Sequence, residues 1–83
     1  MKSQKKEYAK KVLKERIVMF EKYIKEGLQE AVISDMKGHI KGYAYALYLT
    51  DVISRYEWMN VFNKVDALYN AKLMKEVDRI LDS

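Results

Sequence analysis

The sequence predicts an all-α protein with three helices, and three observations support this class. The 83-residue chain contains no proline, apolar residues recur at spacings of three and four, and one helix start carries a capping box. The 49% hydrophobic content is too high for a disordered chain. We therefore predict a single helical domain over residues 1–83, with helices at about 4–32, 35–52 and 55–81 in up-down-up order.

The first helix is predicted from an apolar stripe with successive spacings of 4, 3, 4, 3 and 4 residues. Its members are Leu13, Ile17, Phe20, Ile24, Gly27 and Ala31. Gly27 is the weak point, because glycine costs about 1 kcal/mol relative to alanine inside a helix. The sequence leaves open whether the helix continues through Gly27, and a turn is expected at residues 32–34.

The middle helix is predicted to have two apolar faces. One face contains Met36, Ile40, Tyr43, Ala44 and Leu47, and the other contains Gly38, Gly42, Ala46, Leu49 and Ile53. A helix that is apolar on two sides needs a cover on both, which predicts that the other two helices sandwich it.

The row of small residues at Gly38, Gly42 and Ala46 allows a facing backbone to approach closely. Two partners fit this row. The favoured one is another helix of the same chain, and the alternative is a second copy of the protein.

The third helix has the clearest local signal. Ser54 and Glu57 form a capping box, and Ile53 and Trp58 occupy the positions of a hydrophobic staple. This helix start makes helices 2 and 3 an antiparallel hairpin. The apolar stripe of the helix continues through Phe62, Val65, Tyr69, Leu73, Val77 and Ile80.

The predicted helix lengths do not match, which points to a partner. At 1.5 Å per residue the helices would span about 43, 27 and 40 Å, so the ends of the outer helices either fray or contact another chain. Tyrosines at interfaces combine an apolar ring with a hydroxyl group. The predicted partner or oligomer interface contains Gly38, Gly42, Tyr43, Tyr45, Ala46, Tyr48, Tyr56 and Met74.

The positive charge of the chain is concentrated at its start. Residues 1–16 carry seven Lys and Arg against two Glu, whereas the nine remaining Lys and Arg are outnumbered by ten Asp and Glu. Residues 1–8 are predicted to form a basic arm that frays or projects beyond the helices. Solvated cations, contacts with phosphates or an acidic partner, and contacts with a membrane surface all remain open interpretations. Candidate nucleic-acid contacts are Lys5, Lys6, Lys10, Lys11, Lys14 and Arg16.

Nothing in the sequence forms a catalytic motif. The chain has one histidine, no cysteine and no glycine-rich phosphate loop. Asp35 and His39 are four residues apart, but two ligands do not make a metal site. We therefore expect no enzyme activity, no cofactor, no metal and no small-molecule substrate. The basic start lacks a following apolar segment, so we expect a cytoplasmic protein without a membrane span.

The leading hypothesis is a small non-catalytic binding or regulatory protein. It would form a homo-oligomer and act through its helical surfaces on an unidentified protein partner. The alternative is a nucleic-acid-binding protein that uses the Lys-rich first helix. By composition alone, a lysine- and tyrosine-rich chain without cysteine or proline is typical of phage or plasmid accessory proteins.

Overall fold

Three helices make up nearly the whole described chain, which confirms the predicted all-α class. A computed structural model describes residues 2–82, apart from the side chains at positions 2, 3, 76 and 82. Helix α1 spans Lys2–Glu26, α2 spans Glu30–Leu49 and α3 spans Arg55–Asp82. Helix α2 packs against both α1 and α3, as predicted, but α1 also contacts α3, and the side of α2 that contains Gly42 is exposed, so the two helices do not cover opposite faces of α2. The described part is elongated, with extents of 56 × 20 × 15 Å.

Gly27 ends the first helix. Its φ of 74° lies in the left-handed region, which is easily reached by glycine. The Gly27 amide donates to the Ile24 carbonyl at 3.1 Å, and the Leu28 amide donates to the Tyr23 carbonyl at 3.3 Å. These two bonds define a Schellman motif, which satisfies the last carbonyl groups of α1.

The predicted boundary between the first two helices is therefore wrong. Residues 32–34, where a turn was expected, belong to α2, which begins at Glu30. No capping side chain interrupts the helix there, and the Gly27 motif has already reversed the chain. Ala31, predicted to lie on the stripe of the first helix, lies instead on α2 and is exposed.

The connection between α2 and α3 has the same backbone motif as the connection between α1 and α2. It is followed by a capping box at the start of α3. Asp51 occupies the left-handed position with φ of 61°, and the Val52 amide donates to the Leu47 carbonyl at 2.8 Å. The Ser54 amide donates to Glu57 Oε1, and the Glu57 amide donates to Ser54 Oγ, both at 3.0 Å. The predicted capping box is confirmed, and the bond from the Ser54 amide lowers the pKa of Glu57.

The core lies mainly between α1 and α2. Phe20 and Ile33 are fully buried there. Val65 of α3 belongs to the same cluster and is also fully buried. Full burial of such a side chain contributes roughly 1.5–3 kcal/mol, so this cluster is the main stabilising element. The buried apolar residues are Leu13, Ile17, Phe20, Ile33, Ile40, Ala44, Leu47, Ile53 and Val65.

The contact between α2 and α3 has a different chemistry, with aromatic rings at one end and ion pairs along the middle. Tyr48 and Trp58 stack with ring centroids 4.7 Å apart and an interplanar angle of 3°. Further along, Lys41 and Lys37 place their ammonium nitrogens 2.6 and 3.6 Å from Asp66 Oδ1. Bonding to Lys41 lowers the pKa of Asp66.

Helix α3 extends past the ends of its two neighbours. The last part of its predicted stripe is therefore exposed rather than buried, since no neighbour reaches that level. Leu73, Val77 and Ile80 all lie on the surface. Within residues 2–82, no helix has an apolar stretch long enough to cross a membrane.

Candidate protein-binding surface

Most of the second apolar side of α2 faces away from both other helices, but Ile53, which was predicted to belong to it, follows the end of α2 and is buried. We call the five residues Gly38, Gly42, Tyr45, Ala46 and Leu49 the outer face of α2. All five are exposed, with Tyr45 at 46% and Leu49 at 61%. A Cβ atom added at Gly38 or Gly42 would meet no other atom within 4 Å. The favoured prediction, that the glycine row packs within the chain, is therefore wrong.

None of the five residues of the outer face is charged, and the two nearby lysines of α2 point away from it. Lys37 and Lys41 turn toward α3, where they share Asp66 and lie over the rings of Tyr69 and Phe62, at 4.3 and 4.8 Å from the centroids. This places two cations in ion-pair and cation–π contacts at the α2–α3 boundary. The middle of the outer face is left with small and apolar residues.

The one histidine of the chain lies at the N-terminal end of this face. His39 Nε2 is 3.6 Å from Asp35 Oδ2, and both side chains are exposed. No group of three or more His, Cys, Asp or Glu residues that could hold a metal ion exists in the described part of the chain. A two-residue exposed pair offers neither the ligand number nor the water exclusion of a metal centre.

The three tyrosines of α2 have different roles. The Tyr43 hydroxyl donates to the Ala9 carbonyl at 3.3 Å, and the Arg16 guanidinium lies 5.1 Å from its ring centroid. Tyr48 is half-buried in the stack with Trp58. Of these three tyrosines of α2, all predicted to lie at an interface, Tyr45 is the one that lies on the outer face.

The outer face continues onto α3 through an aromatic cluster. The ring centroids of Tyr45 and Trp58 are 5.6 Å apart, and those of Trp58 and Phe62 are 5.2 Å apart. Met59 is 48% exposed and, with Trp58 and Phe62, lines a shallow groove on α3. Trp58 Nε1 is buried without a hydrogen-bond partner among the described residues.

The α3 part of this surface was not predicted from the sequence. Trp58 had been assigned to the hydrophobic staple and Phe62 to the buried stripe. The spacing of four residues between Trp58 and Phe62 was the available signal, because it places both rings on one side of a helix. Met59 has no distinguishing pattern in the sequence.

The two remaining predicted interface residues do not lie on the outer face. Tyr56 is exposed near the start of α3, and Met74 is exposed on the part of α3 that projects past its neighbours. They are eighteen positions apart on one helix, which corresponds to about 27 Å, so they do not form a common site. Met74 instead belongs with the other exposed apolar residues of that end, Leu73, Val77, Ile80 and Leu81.

The six predicted nucleic-acid contacts lie on more than one side of α1. Lys10 lies 3.8 Å from Glu57, and Lys11 lies 4.0 Å from Glu15. Arg16 is engaged by Tyr43, whereas Lys5, Lys6 and Lys14 are exposed. Residues 2–8 are helical, and Met1 and the Lys2 side chain lie outside the described residues. Lys6, Lys10 and Lys14 are spaced by four and therefore lie along one side of α1, and Glu57 of α3 lies beside the middle one of the three.

A buried lysine joins α3 to the start of α2. Lys72 Nζ donates to Glu30 Oε2 at 3.0 Å, and the Tyr69 hydroxyl donates to the other oxygen of the same carboxylate. Both hydrogen bonds lower the pKa of Glu30, and the bond from Tyr69 has the larger effect. Because Lys72 is only 7% exposed, this carboxylate is needed to balance its charge.

Comparison with known proteins identifies no relative. No protein-family model, no curated protein and no solved structure matches the chain.

Proposed function

We propose that this chain is a small non-catalytic binding protein that acts through its helical surfaces, and that the outer face of α2 is where two copies meet. The observation that carries the proposal is the open row formed by Gly38, Gly42 and Ala46. It is flanked by exposed Tyr45 and Leu49, and nothing in the described chain covers it.

A second copy suits this face better than a charged partner does. The chain carries a net charge of +4, so two copies repel each other over most of their surfaces. None of the five residues of the outer face carries a charge that would have to be desolvated or that would repel its copy. Small residues at spacings of four also favour packing of i±4 ridges against each other, with helices crossing at about −50°. Such a crossing brings two backbones close together at Gly42.

The proposal is tested by sedimentation equilibrium of the purified protein over a range of concentrations. We expect the wild-type chain to form a dimer and Gly42→Leu to remain a monomer, because a leucine at the crossing point separates the two helices. Ala67→Leu is the matched control, since it adds the same side chain at an exposed position on α3. This control should dimerise like the wild type.

Two results would contradict the proposal. One is a wild-type chain that stays monomeric at all concentrations. The other is a Gly42→Leu variant that dimerises as strongly as Ala67→Leu. Circular dichroism should show that all three proteins remain helical, because nothing lies within 4 Å of the Gly42 Cβ position.

The nucleic-acid alternative has weaker support. Three of its six predicted contacts, Lys10, Lys11 and Arg16, are engaged by side chains of the same chain.

A further inference from the structure

A groove with an apolar floor lies where α3 continues past the end of α1. Ile24 and Leu28 form one side of the floor, and Leu68 and Ala71 of α3 form the other. The groove exists because Gly27 reverses the chain there while α3 remains helical to Asp82. It is separate from the outer face of α2, which contributes no lining residue.

The rim of this groove is cationic. Lys25, Lys72, Lys75 and Arg79 line it, and no acidic residue does so in the part of the chain that the structure describes. Lys72 is held by Glu30, and Lys25 lies 3.5 Å from Glu21. Lys75 and Arg79 form no ion pair with any described residue. Two exposed cations lie beside an apolar floor.

We propose that this groove binds an acidic segment of a partner protein. Apolar side chains of the segment occupy the floor between α1 and α3, and its carboxylates pair with Lys75 and Arg79. Arg79 is suited to this role, because a guanidinium group binds a carboxylate with two parallel hydrogen bonds. The two cations also accelerate encounter with a negatively charged partner.

The floor distinguishes a protein segment from a nucleic acid. Proteins that bind single strands stack bases on aromatic rings, and the floor contains only aliphatic side chains. A phosphate backbone has no apolar group that would gain from burial against Leu28 and Leu68. A segment with leucines between carboxylates satisfies both parts of the groove.

The test measures fluorescence anisotropy of a labelled synthetic helical peptide that has a stripe of leucines flanked by glutamates. Two companion peptides replace either the glutamates by glutamine or the leucines by serine, and a labelled single-stranded oligonucleotide serves as a general polyanion. The protein variants are Lys75→Glu and, as the matched control, Lys64→Glu. Both lysines are exposed on α3, and Lys64 lies away from the groove.

We expect the leucine–glutamate peptide to bind the wild type and Lys64→Glu equally. Lys75→Glu should weaken its binding about tenfold or more, because an attraction is replaced by a repulsion. Each companion peptide should bind more weakly than the parent. Gly42→Leu should bind as the wild type does, so that failure of self-association does not affect this result.

Three results would overturn the proposal. The first is the absence of binding to the parent peptide. The second is equal weakening by Lys75→Glu and Lys64→Glu, which would indicate an effect of net charge. The third is an oligonucleotide or a serine-substituted peptide that binds as tightly as the parent, which would indicate a site for any polyanion.

Discussion

The buried side and the outer face of α2 are similarly apolar. They differ in what covers them, because the buried side packs against the other helices and the outer face is exposed. Ile40 and Ala44 are buried on one side, whereas Gly42 and Ala46 are exposed on the other. The difference arises because α1 and α3 both pack on the side of α2 away from Gly42. An apolar pattern therefore indicates that a helix face needs a cover, but not which chain supplies it.

The largest contrast is expected from removing one large apolar side chain from each side of α2. Ile40→Ala should lower the free energy of unfolding by about 2–5 kcal/mol, because it leaves a cavity at a residue that is 2% exposed. Leu49→Ala should change it by less than about 0.5 kcal/mol in the monomer. Urea unfolding at low protein concentration measures both values. Equal losses would show that the two sides are covered alike.

A second contrast comes from enlarging the two alanines of α2. Ala44→Leu should cost about 1–3 kcal/mol, since the buried site has no room for a leucine side chain. Ala46→Leu should leave the stability of the monomer nearly unchanged, because Ala46 is exposed, and should weaken self-association. Thermal unfolding and sedimentation measure the two effects. A large loss of monomer stability in Ala46→Leu would mean that the outer face is already covered within the chain.

The smallest effect concerns the carboxylate that holds Lys37 and Lys41 away from the outer face. The pKa of Asp66 is lowered in the folded protein, chiefly by its bond to Lys41. Its contribution to stability is therefore present above the ordinary pKa of an aspartate, about 3.9, and is lost as the pH falls through the lower folded value.

Asp66→Asn should accordingly be slightly less stable than the wild type at neutral pH. The difference in melting temperature should shrink on acidification and vanish below the folded pKa of Asp66. A difference that stays constant down to strongly acidic pH would contradict this account of Asp66.

Much of the fold was predictable from local signals. The capping box at Ser54 and Glu57 depends on neighbouring residues alone, and the structure contains it. The first helix boundary was misplaced, because Gly27 can weaken a helix or end it in the left-handed conformation. Which of the two occurs depends on whether Leu28 completes the Schellman motif.

The surfaces were less predictable than the elements. Helical spacing placed Gly38, Gly42 and Ala46 on one side of α2, yet it gave no information on whether a neighbour reaches that side. The cationic groove involves Lys25 of α1 together with Lys75 and Arg79 of α3, and Lys25 meets the other two only because α1 and α3 run side by side.

The central claim, that two outer faces meet, is tested most directly by cross-linking single cysteine variants, because the natural chain contains no cysteine. Gly38→Cys and Ala46→Cys lie at the two ends of the small-residue row, and Val18→Cys is an exposed control on α1. Under mild oxidation we predict rapid disulfide formation by Gly38→Cys and Ala46→Cys. Each variant would cross-link by itself if the helices are parallel, and only when the two are mixed if they are antiparallel. Cross-linking no faster than that of Val18→Cys, alone and in the mixture, would contradict the account.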